Sequence, residues 1–546
     1  MAWYDEAVFY HIYPLGMTGA PKQNHYSQPV HRLNSLIPWI SHIKNIGCNA
    51  IYIGPLFESV GHGYETTDYK KLDSRLGTNE DLTNFVARCH KAGIRVILDG
   101  VFNHTGRDFF AFKDIKQNRE SSAYKDWYCS VNFGGNNSFG DGFSYENWGG
   151  HDLLVKLNQR NGAVKDYICD VIRYWVREFD IDGIRLDAAD VMDFEYMKAL
   201  RRVANEVKED FWLMGEVIHG DYSRWANSDT LHCVTNYMLH KALYSAHNDH
   251  NYFEVAHTIK YVSNMTGDRL RLYTFVDNHD VERIYTKLKN KEHFVPVHIM
   301  LYTLPGIPSV YYGSEFGIEG KKEWGSDDSL RPALDYESYK DSISSNPCTQ
   351  LISALSRIRQ NTPALCCGDY SELELQTTHF AYKRTLDGKA VIVTVNNSDS
   401  DAEMNLKADA KEYVGALTGE RITSVDGHIR VKVPANYGEI WLPGDVADES
   451  FTPIKMPEIK KTPKAVETEK VPEKSKNDAT SKIAGEKTEQ VRVDLNKPYD
   501  EMTVAELQEA ILEKMRRNGP VTDYMLGTVK ENTHRGSLLN WVRSFN

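Results

Sequence analysis

The chain has 546 residues, too long for one ordinary hydrophobic core, so about two to four domains are expected. Its 41% hydrophobic, 11% aromatic and 26% charged residues are those of a globular protein. With 64 Lys+Arg against 76 Asp+Glu the net charge is −12, which offers phosphate backbones nothing to hold; nucleic acid is excluded as a partner class, and a neutral polar substrate is not.

The first residues, MAWYDEAVFYHIYP, lack a basic start followed by an apolar core, so no secretory signal is expected. No run of about 18 apolar residues occurs, so no membrane span is expected and the reading is cytoplasmic. The eight cysteines, Cys48, Cys89, Cys129, Cys169, Cys233, Cys348, Cys366 and Cys367, show no paired metal spacing and read as free thiols. Short apolar, β-branched runs then recur: VFYHIY from Val8, NAIYIGPLF from Asn49, IRVILDG from Ile94 and DGIRLDA from Asp182. FWLMGEV from Phe211, HCVTNYM from His232, LYTFVDN from Leu272 and PSVYYGSE from Pro308 complete eight. Several intervals carry helical periodicity, as from Asn79 to Ala92, where Thr78 and Asp81 form a near capping box, and from Val164 to Glu178. Eight strands alternating with helices predict an α/β fold, a (β/α)8 TIM barrel over 1–102 and 159–360. The Gly-, Asn- and aromatic-rich stretch 103–158 is expected as an inserted loop domain above the barrel's C-terminal mouth. Alternating runs separated by TLDG, LTGE and VDGH predict an antiparallel β-sandwich over 361–445. A Lys/Glu/Pro-rich linker, 446–498, follows. The last segment, 499–546, predicts a small helical module, opened by a Thr503/Glu506 capping box with a Met502–Leu507 staple and stopped at Asn518-Gly519-Pro520.

Carboxylates cluster where the barrel strands end. Asp99 follows VIL, Asp187 follows IRL, Glu216 follows LMG, and Asp277 and Asp280 follow YTFV. An unpaired buried charge costs several kcal/mol, so such a set needs partners or a purpose. The bland reading is salt bridging with Arg185, His104 and His279; the set at one barrel mouth favours function. Glycoside cleavage fits: one carboxylate attacks, a protonated one delivers a proton, and a third stabilises the cationic sugar. Arg185, two residues before Asp187 on the same strand face, suits an ionised nucleophile. The apolar run Phe211–Met214 and the nearby carboxylates would favour a protonated Glu216.

DGVFNH (Asp99 to His104), GIRLDAA (Gly183 to Ala189), GEVIH (Gly215 to His219) and FVDNHD (Phe275 to Asp280) resemble, in order, the four signature regions of the α-amylase family of glycoside hydrolases, family 13. The resemblance covers about residues 1–443 and not the tail. It implies retaining hydrolysis of α-1,4-glucosidic bonds in maltodextrins, with cyclodextrins and pullulan as further substrates. In these terms Asp187 resembles the nucleophile, Glu216 the general acid/base and Asp280 the transition-state stabiliser. His104 and His279 resemble sugar-binding histidines, and Arg185 the arginine that keeps the nucleophile ionised. His62 and Tyr64 resemble the segment whose tyrosine stacks on that sugar, with Asp68 a structural partner. Asp327 and Arg331 resemble the pair that binds the next sugar, although Asp328 stands where a proline is common. His219 is placed toward the acceptor sugar, and Asp99 and Arg283 are supporting residues.

Leu154-Val155-Lys156-Leu157-Asn158 resembles the MPKLN segment of the cyclomaltodextrinase, neopullulanase and maltogenic amylase group, with Val155 replacing the proline. Lys156 separates the chain from sucrose and α-1,6-oligosaccharide enzymes. The N-terminal β-domain that this group uses to dimerise is not expected, which leaves the oligomeric state open. No cofactor is required; Asn103 resembles a calcium-binding asparagine, so structural Ca²⁺ is the one candidate metal. Two other functions stay open: a 4-α-glucanotransferase, which shares the intermediate, and an inactive carbohydrate-binding homologue, whose signature would be loss of one of the three carboxylates. All three are present.

Overall fold

The computed structural model describes residues 2–267, 272–323, 326–447, 497–499 and 502–518, together with Val529, Leu538 and Val542. The chain divides into two compact units, Met1–Lys464 and Ala465–Asn546.

Eight strands build the first unit's parallel sheet: β1 Phe9–Ile12, β2 Ala50–Ile53, β3 Arg95–Gly100 and β4 Gly183–Leu186, then β5 Trp212–Gly215, β6 Cys233–Val234, β7 Tyr273–Phe275 and β8 Ile307–Tyr311. Their order is β6-β5-β4-β3-β2-β1-β8-β7. A parallel bridge between Thr235 and Tyr273 joins β6 to β7, and the Asn236 amide donates to the Tyr273 carbonyl at 2.9 Å, which closes the barrel. The strands are buried on both faces, the reason they read as continuous apolar runs. Phe9, Tyr52, Ile97, Trp212, Met214 and Phe275 fill the lumen, with Phe9 stacked on Trp212 at 5.1 Å. Their neighbours Tyr10, Ile51, Leu98, Ile184 and Leu213 face the helical ring.

The ring includes α1 Trp39–Asn45, α2 Asn79–Lys91, α3 Gly162–Phe179 and α4 Phe194–Val207. It continues with α5 Tyr237–Asn248, α6 Phe253–Thr266, α7 Phe294–Thr303 and α8 Pro347–Gln360. The capping box at Thr78 and Asp81 forms as the sequence indicates. The alternation is uneven: between β5 and β6 the described chain carries a single 3-10 turn, Tyr222–Arg224, and two helices, α5 and α6, fill the next interval. Residues 103–158 carry a three-stranded sheet and the helix Phe110–Asn118. That sheet pairs His104 with Lys156, which fixes the insert beside β3.

After α8, β9 Asp369–Leu375, β10 His379–Leu386 and β11 Lys389–Asn396 form an antiparallel meander. Next come β12 Ala402–Lys407, β13 Glu412–Gly415, β14 Arg421–Thr423, β15 His428–Val433 and β16 Tyr437–Pro443. They make a six-stranded sheet and a two-stranded β12–β15 sheet, packed through Ile392, Met404, Leu406, Ile429, Val431 and Trp441. The alternating runs legible in the sequence are LELQTTHFAYKR, KAVIVTVNN, EYVGAL, HIRVKVP and GEIWLP; β12, AEMNLK, is not among them. Arg384 ties this domain to the barrel, donating to the Thr303 and Leu365 carbonyls at 2.7 and 2.9 Å.

In the second unit α9, Val504–Asn518, starts at a reciprocal cap: the Thr503 amide donates to Glu506 Oε2 at 2.7 Å and the Glu506 amide to Thr503 Oγ1 at 3.3 Å. Met502, Leu507, Ile511 and Leu512 share an apolar cluster with Val529, Leu538 and Val542. Most of the expected linker, 448–496, and the expected stop at Gly519-Pro520 lie outside the described residues. All eight cysteines are free, six of them buried. Among the described residues no helix is long and apolar enough to cross a membrane.

Candidate active site

Strand alternation delivers the polar groups. Ile97 and Met214 point into the lumen, so Asp99 and Glu216, two residues on, face it at its C-terminal end. Ile184 and Leu186 face outward, which leaves Arg185 and Asp187 inward.

Arg185 is buried at the centre. Its Nη1 donates to Asp99 Oδ1 and Oδ2 at 2.9 and 3.0 Å and to Asp187 Oδ1 at 2.8 Å. Its Nη2 lies 2.9 Å from Glu216 Oε2. One guanidinium thus holds three carboxylates, the expected Asp187 among them. Asp99 is the buried anchor, also accepting from Tyr52 Oη at 2.8 Å and Tyr64 Oη at 3.3 Å. Among the described residues Asp187 Oδ2 carries no hydrogen bond, while Oδ1 is committed to Arg185. Burial pushes the Asp187 carboxyl well above its ordinary value against the pull of Arg185, and Glu216 and Asp99 add to the push.

The turn after Asp187 aims a further donor. Ala188 sits at φ 49°, a left-handed conformation that costs an alanine about 1–2 kcal/mol, and its N–H donates to Glu216 Oε2 at 3.2 Å. Glu216 Oε1 instead accepts from Tyr237 Oη at 3.4 Å.

Asp280 stands on separate supports. Oδ2 lies 3.1 Å from His279 Nε2 and Oδ1 accepts from Arg331 Nη2 at 2.9 Å. Burial opposes ionisation there, yet His279 and Arg331 hold the carboxyl well below the usual range. Arg331 also donates to Asp327 Oδ2 and the His279 carbonyl, each at 3.0 Å, and packs over the Tyr13 ring at 4.6 Å. Arg331 is thus a positioning group for Asp280 as well as the partner of Asp327. Tyr64 Oη is 2.5 Å from His279 Nε2, and the Tyr64 and Tyr13 rings lie nearly parallel to His279, at 15° and 13°. Tyr13 Oη donates to the His62 carbonyl, whose ring meets Glu65 at 3.2 Å.

Other expected residues sit further out. His104 is buried, its Nε2 at 3.1 Å from the Tyr64 carbonyl and its Nδ1 at 3.3 Å from Asn103 Nδ2, and burial pushes its imidazole down to about 3. Both its nitrogens face protein, so a sugar contact would exchange one of them. His219 is exposed beyond Glu216. Arg283 is a buried strut donating to the Tyr312 and Leu330 carbonyls at 2.8 and 2.9 Å. Lys156 pairs with Glu146 in the insert. Asp277 leaves the cluster: it accepts from the Ile284 amide and Ser314 Oγ, each at 2.7 Å. Asp68 is exposed and accepts from the Lys70 amide at 2.8 Å; the buried acids around it are Glu58, Glu65 and Asp73, the last paired with Arg75 at 2.8 Å, so the structural role expected of Asp68 is corrected. Asn103 Oδ1 is committed to Gln159 Nε2 at 2.9 Å, and among the described residues no group of three His, Cys, Asp or Glu side chains is placed to hold a metal. Calcium takes about six to eight oxygens. No step below runs through a metal.

Tyr13, Tyr237, Asn278 and Lys322, whose Nζ donates to the Asp280 carbonyl at 2.9 Å, escaped the sequence reading. Only Asn278, inside FVDNHD, had a signal there; the others meet the site through long-range packing.

The family model described as alpha amylase, catalytic domain, matches residues 30–365, and that described as alpha-amylase C-terminal domain matches 368–441. A cyclomaltodextrinase of Geobacillus thermopakistaniensis is 31% identical over 74% of this chain and 68% of its own length. A maltogenic alpha-amylase of Bacillus acidopullulyticus is 29% identical over 75% of this chain and 72% of its own. The crystal structure of a Nostoc punctiforme debranching enzyme, soaked with acarbose, superposes with a TM-score of 0.68 at 26% identity, covering 81% of this chain and 98% of that one.

Proposed function

The chain belongs to the α-amylase family of glycoside hydrolases, and from that premise we propose that it hydrolyses α-1,4-glucosidic bonds of maltodextrins with retention, through a glycosyl intermediate on Asp187. The observation that carries this reading is the fork of Arg185, which holds Asp187 on Nη1 at 2.8 Å and Glu216 on Nη2 at 2.9 Å. Two carboxylates on one guanidinium are close neighbours, which supports the separation of about 5–5.5 Å that retaining enzymes use rather than the wider gap of inverting ones.

The chemistry follows from the free oxygens. In the reacting state Glu216 carries the proton and Asp187 is a carboxylate held by Arg185, and its unbonded Oδ2 attacks the anomeric carbon. The glycosidic C–O bond breaks as Glu216 gives its proton to the leaving oxygen. Water then attacks the same carbon, Glu216 takes a proton from it, and the C–Oδ2 bond breaks. Asp280, kept ionised by His279 and Arg331, opposes the positive charge that builds on the sugar. Tyr64, nearly parallel to His279, offers an aromatic face to the ring in the cleavage subsite, and Asp327 with Arg331 serves the next sugar.

The relatives named cyclomaltodextrinase and maltogenic alpha-amylase support short and cyclic maltodextrins as substrates; the debranching-enzyme neighbour brings α-1,6 bonds into the test. Soluble starch, maltotetraose, β-cyclodextrin and pullulan are incubated with the protein and products are resolved over time. Glucose and maltose released faster from maltotetraose or β-cyclodextrin than from starch is the expected outcome. Products longer than maltotetraose would move the chain to glucanotransferases, and no turnover of any substrate would sink the reading.

A further inference from the structure

The two oxygens of Glu216 are not equivalent. Oε2 faces two groups that can only donate, Arg185 Nη2 at 2.9 Å and the Ala188 N–H at 3.2 Å. An oxygen that receives both must accept, so the transferable proton sits on Oε1. The protein group at Oε1 is the Tyr237 hydroxyl, 3.4 Å away.

That hydroxyl is itself oriented. Asn278 Oδ1 accepts from the Asp280 amide at 2.8 Å and the Val281 amide at 3.1 Å, which fixes which end of its side-chain amide is oxygen. Nδ2 must then donate to Tyr237 Oη, at 3.0 Å. With one hydrogen bond already received, the phenol's own hydrogen is left for Oε1 whenever that oxygen is bare. The Tyr237 ring is held edge-on against Phe275 at 5.0 Å and His240 at 6.2 Å, so the hydroxyl cannot swing away.

We propose that Tyr237, oriented by Asn278, is a positioning residue that donates to Oε1 of Glu216 and stabilises that oxygen once its proton has left, while Arg185 and the Ala188 N–H hold Oε2. This rests on the acid/base role proposed for Glu216. In the first step the Oε1–H bond breaks, the proton bonds to the leaving glycosidic oxygen, the C–O bond breaks and the C–Oδ2 bond to Asp187 forms. The bared Oε1 then accepts the Tyr237 hydrogen. In the second step water gives one proton back to Oε1 as its oxygen bonds the anomeric carbon, the C–Oδ2 bond breaks, and the Tyr237 hydrogen turns away. The same hydrogen-bond chain runs from Glu216 Oε1 through Tyr237 and Asn278 to the backbone amide of Asp280.

The test uses the full chain carrying Tyr237→Phe, which keeps the ring contacts and removes only the hydroxyl. Profiles of kcat/KM against pH are measured on maltotriose, whose leaving group needs a proton, and on α-maltosyl fluoride, whose leaving group does not. A net hydrogen bond of ordinary strength predicts a basic limb displaced to higher pH by about half to one unit on maltotriose. The same bond predicts kcat lowered about fivefold to tenfold with KM little changed, and fluoride turnover within about twofold of the parent. Asn278→Asp, which replaces the donor to Tyr237 by an acceptor, should displace the limb in the same direction. An unmoved limb, or equal losses on both substrates, would overturn the proposal. Glu216→Gln is run in parallel: if that variant keeps maltotriose activity, the acid/base assignment itself fails and takes this inference with it.

Discussion

Replacing Glu216 by glutamine tests the division of labour at the barrel mouth. Oε2 receives donors from Arg185 and Ala188, so the glutamine carbonyl must take that place and its amide must face Tyr237. Arg185 and the Ala188 N–H keep an acceptor, and Arg185 also keeps Asp99 and Asp187 as partners, so the fold should persist. What is lost is the proton. General acid assistance contributes about 10²–10⁴ in rate, or about 3–5 kcal/mol of barrier. On maltotriose kcat should therefore fall by about that factor with KM little altered. On α-maltosyl fluoride, where the leaving group needs no proton, the first step should fall less than about tenfold. Stopped-flow release of fluoride against discontinuous glucose assay separates the two. Equal losses on both substrates would mean that Glu216 acts by holding Arg185 rather than by moving a proton, and the assignment would be wrong.

Asp187→Asn should abolish turnover yet stabilise the protein. The folded carboxyl is raised above its ordinary 3.8, so the parent loses stability as pH rises from there through the folded value; thermal melts should show the variant's advantage opening as pH climbs, and a constant offset at all pH values would refute it. Arg331→Met strips Asp280 of one cation. Asp280 is held below 3.8, so its stabilisation is present above that pH and lost on acidification; parent and variant should differ at neutral pH and converge below about pH 4, with kcat down about 10–100-fold because transition-state charge is less well opposed. Phe9→Ala empties the lumen beside Trp212 and should cost about 3–5 kcal/mol in urea unfolding; a loss under about 1 kcal/mol would contradict a packed barrel interior.

The barrel strands could be read because burial on both faces leaves runs such as IRVILDG with almost no polar interruption. β12 could not: its inward residues are only Ala402, Met404 and Leu406, set between Glu403, Asn405 and Lys407, so AEMNLK looks like a polar loop until β15 supplies its partner face. After β5 the regular alternation of strand and helix does not hold, since the described chain there carries only the Tyr222–Arg224 turn. Within the site, residues carried by the four short motifs were legible by position but not by partner. Arg185 was expected beside Asp187, two residues away on its strand; its grip on Glu216 spans neighbouring strands and no local pattern records it. Tyr237 stands at the start of α5 and reaches Glu216 only because β5 and β6 are adjacent in the closed barrel. Arg331 looked like a sugar-binding arginine, and the structure adds that it carries Asp280.

The central claim is that Asp187 forms the bond to sugar. The protein is treated with a 5-fluoro α-glucosyl fluoride, which slows breakdown of a glycosyl intermediate, then digested with pepsin and mapped by mass spectrometry. One fluoroglucosyl group on the peptide containing Asp187, absent in Asp187→Asn, is the result predicted. A label on Glu216, Asp280 or any other residue, or turnover of the reagent to a β-configured product, would contradict the account.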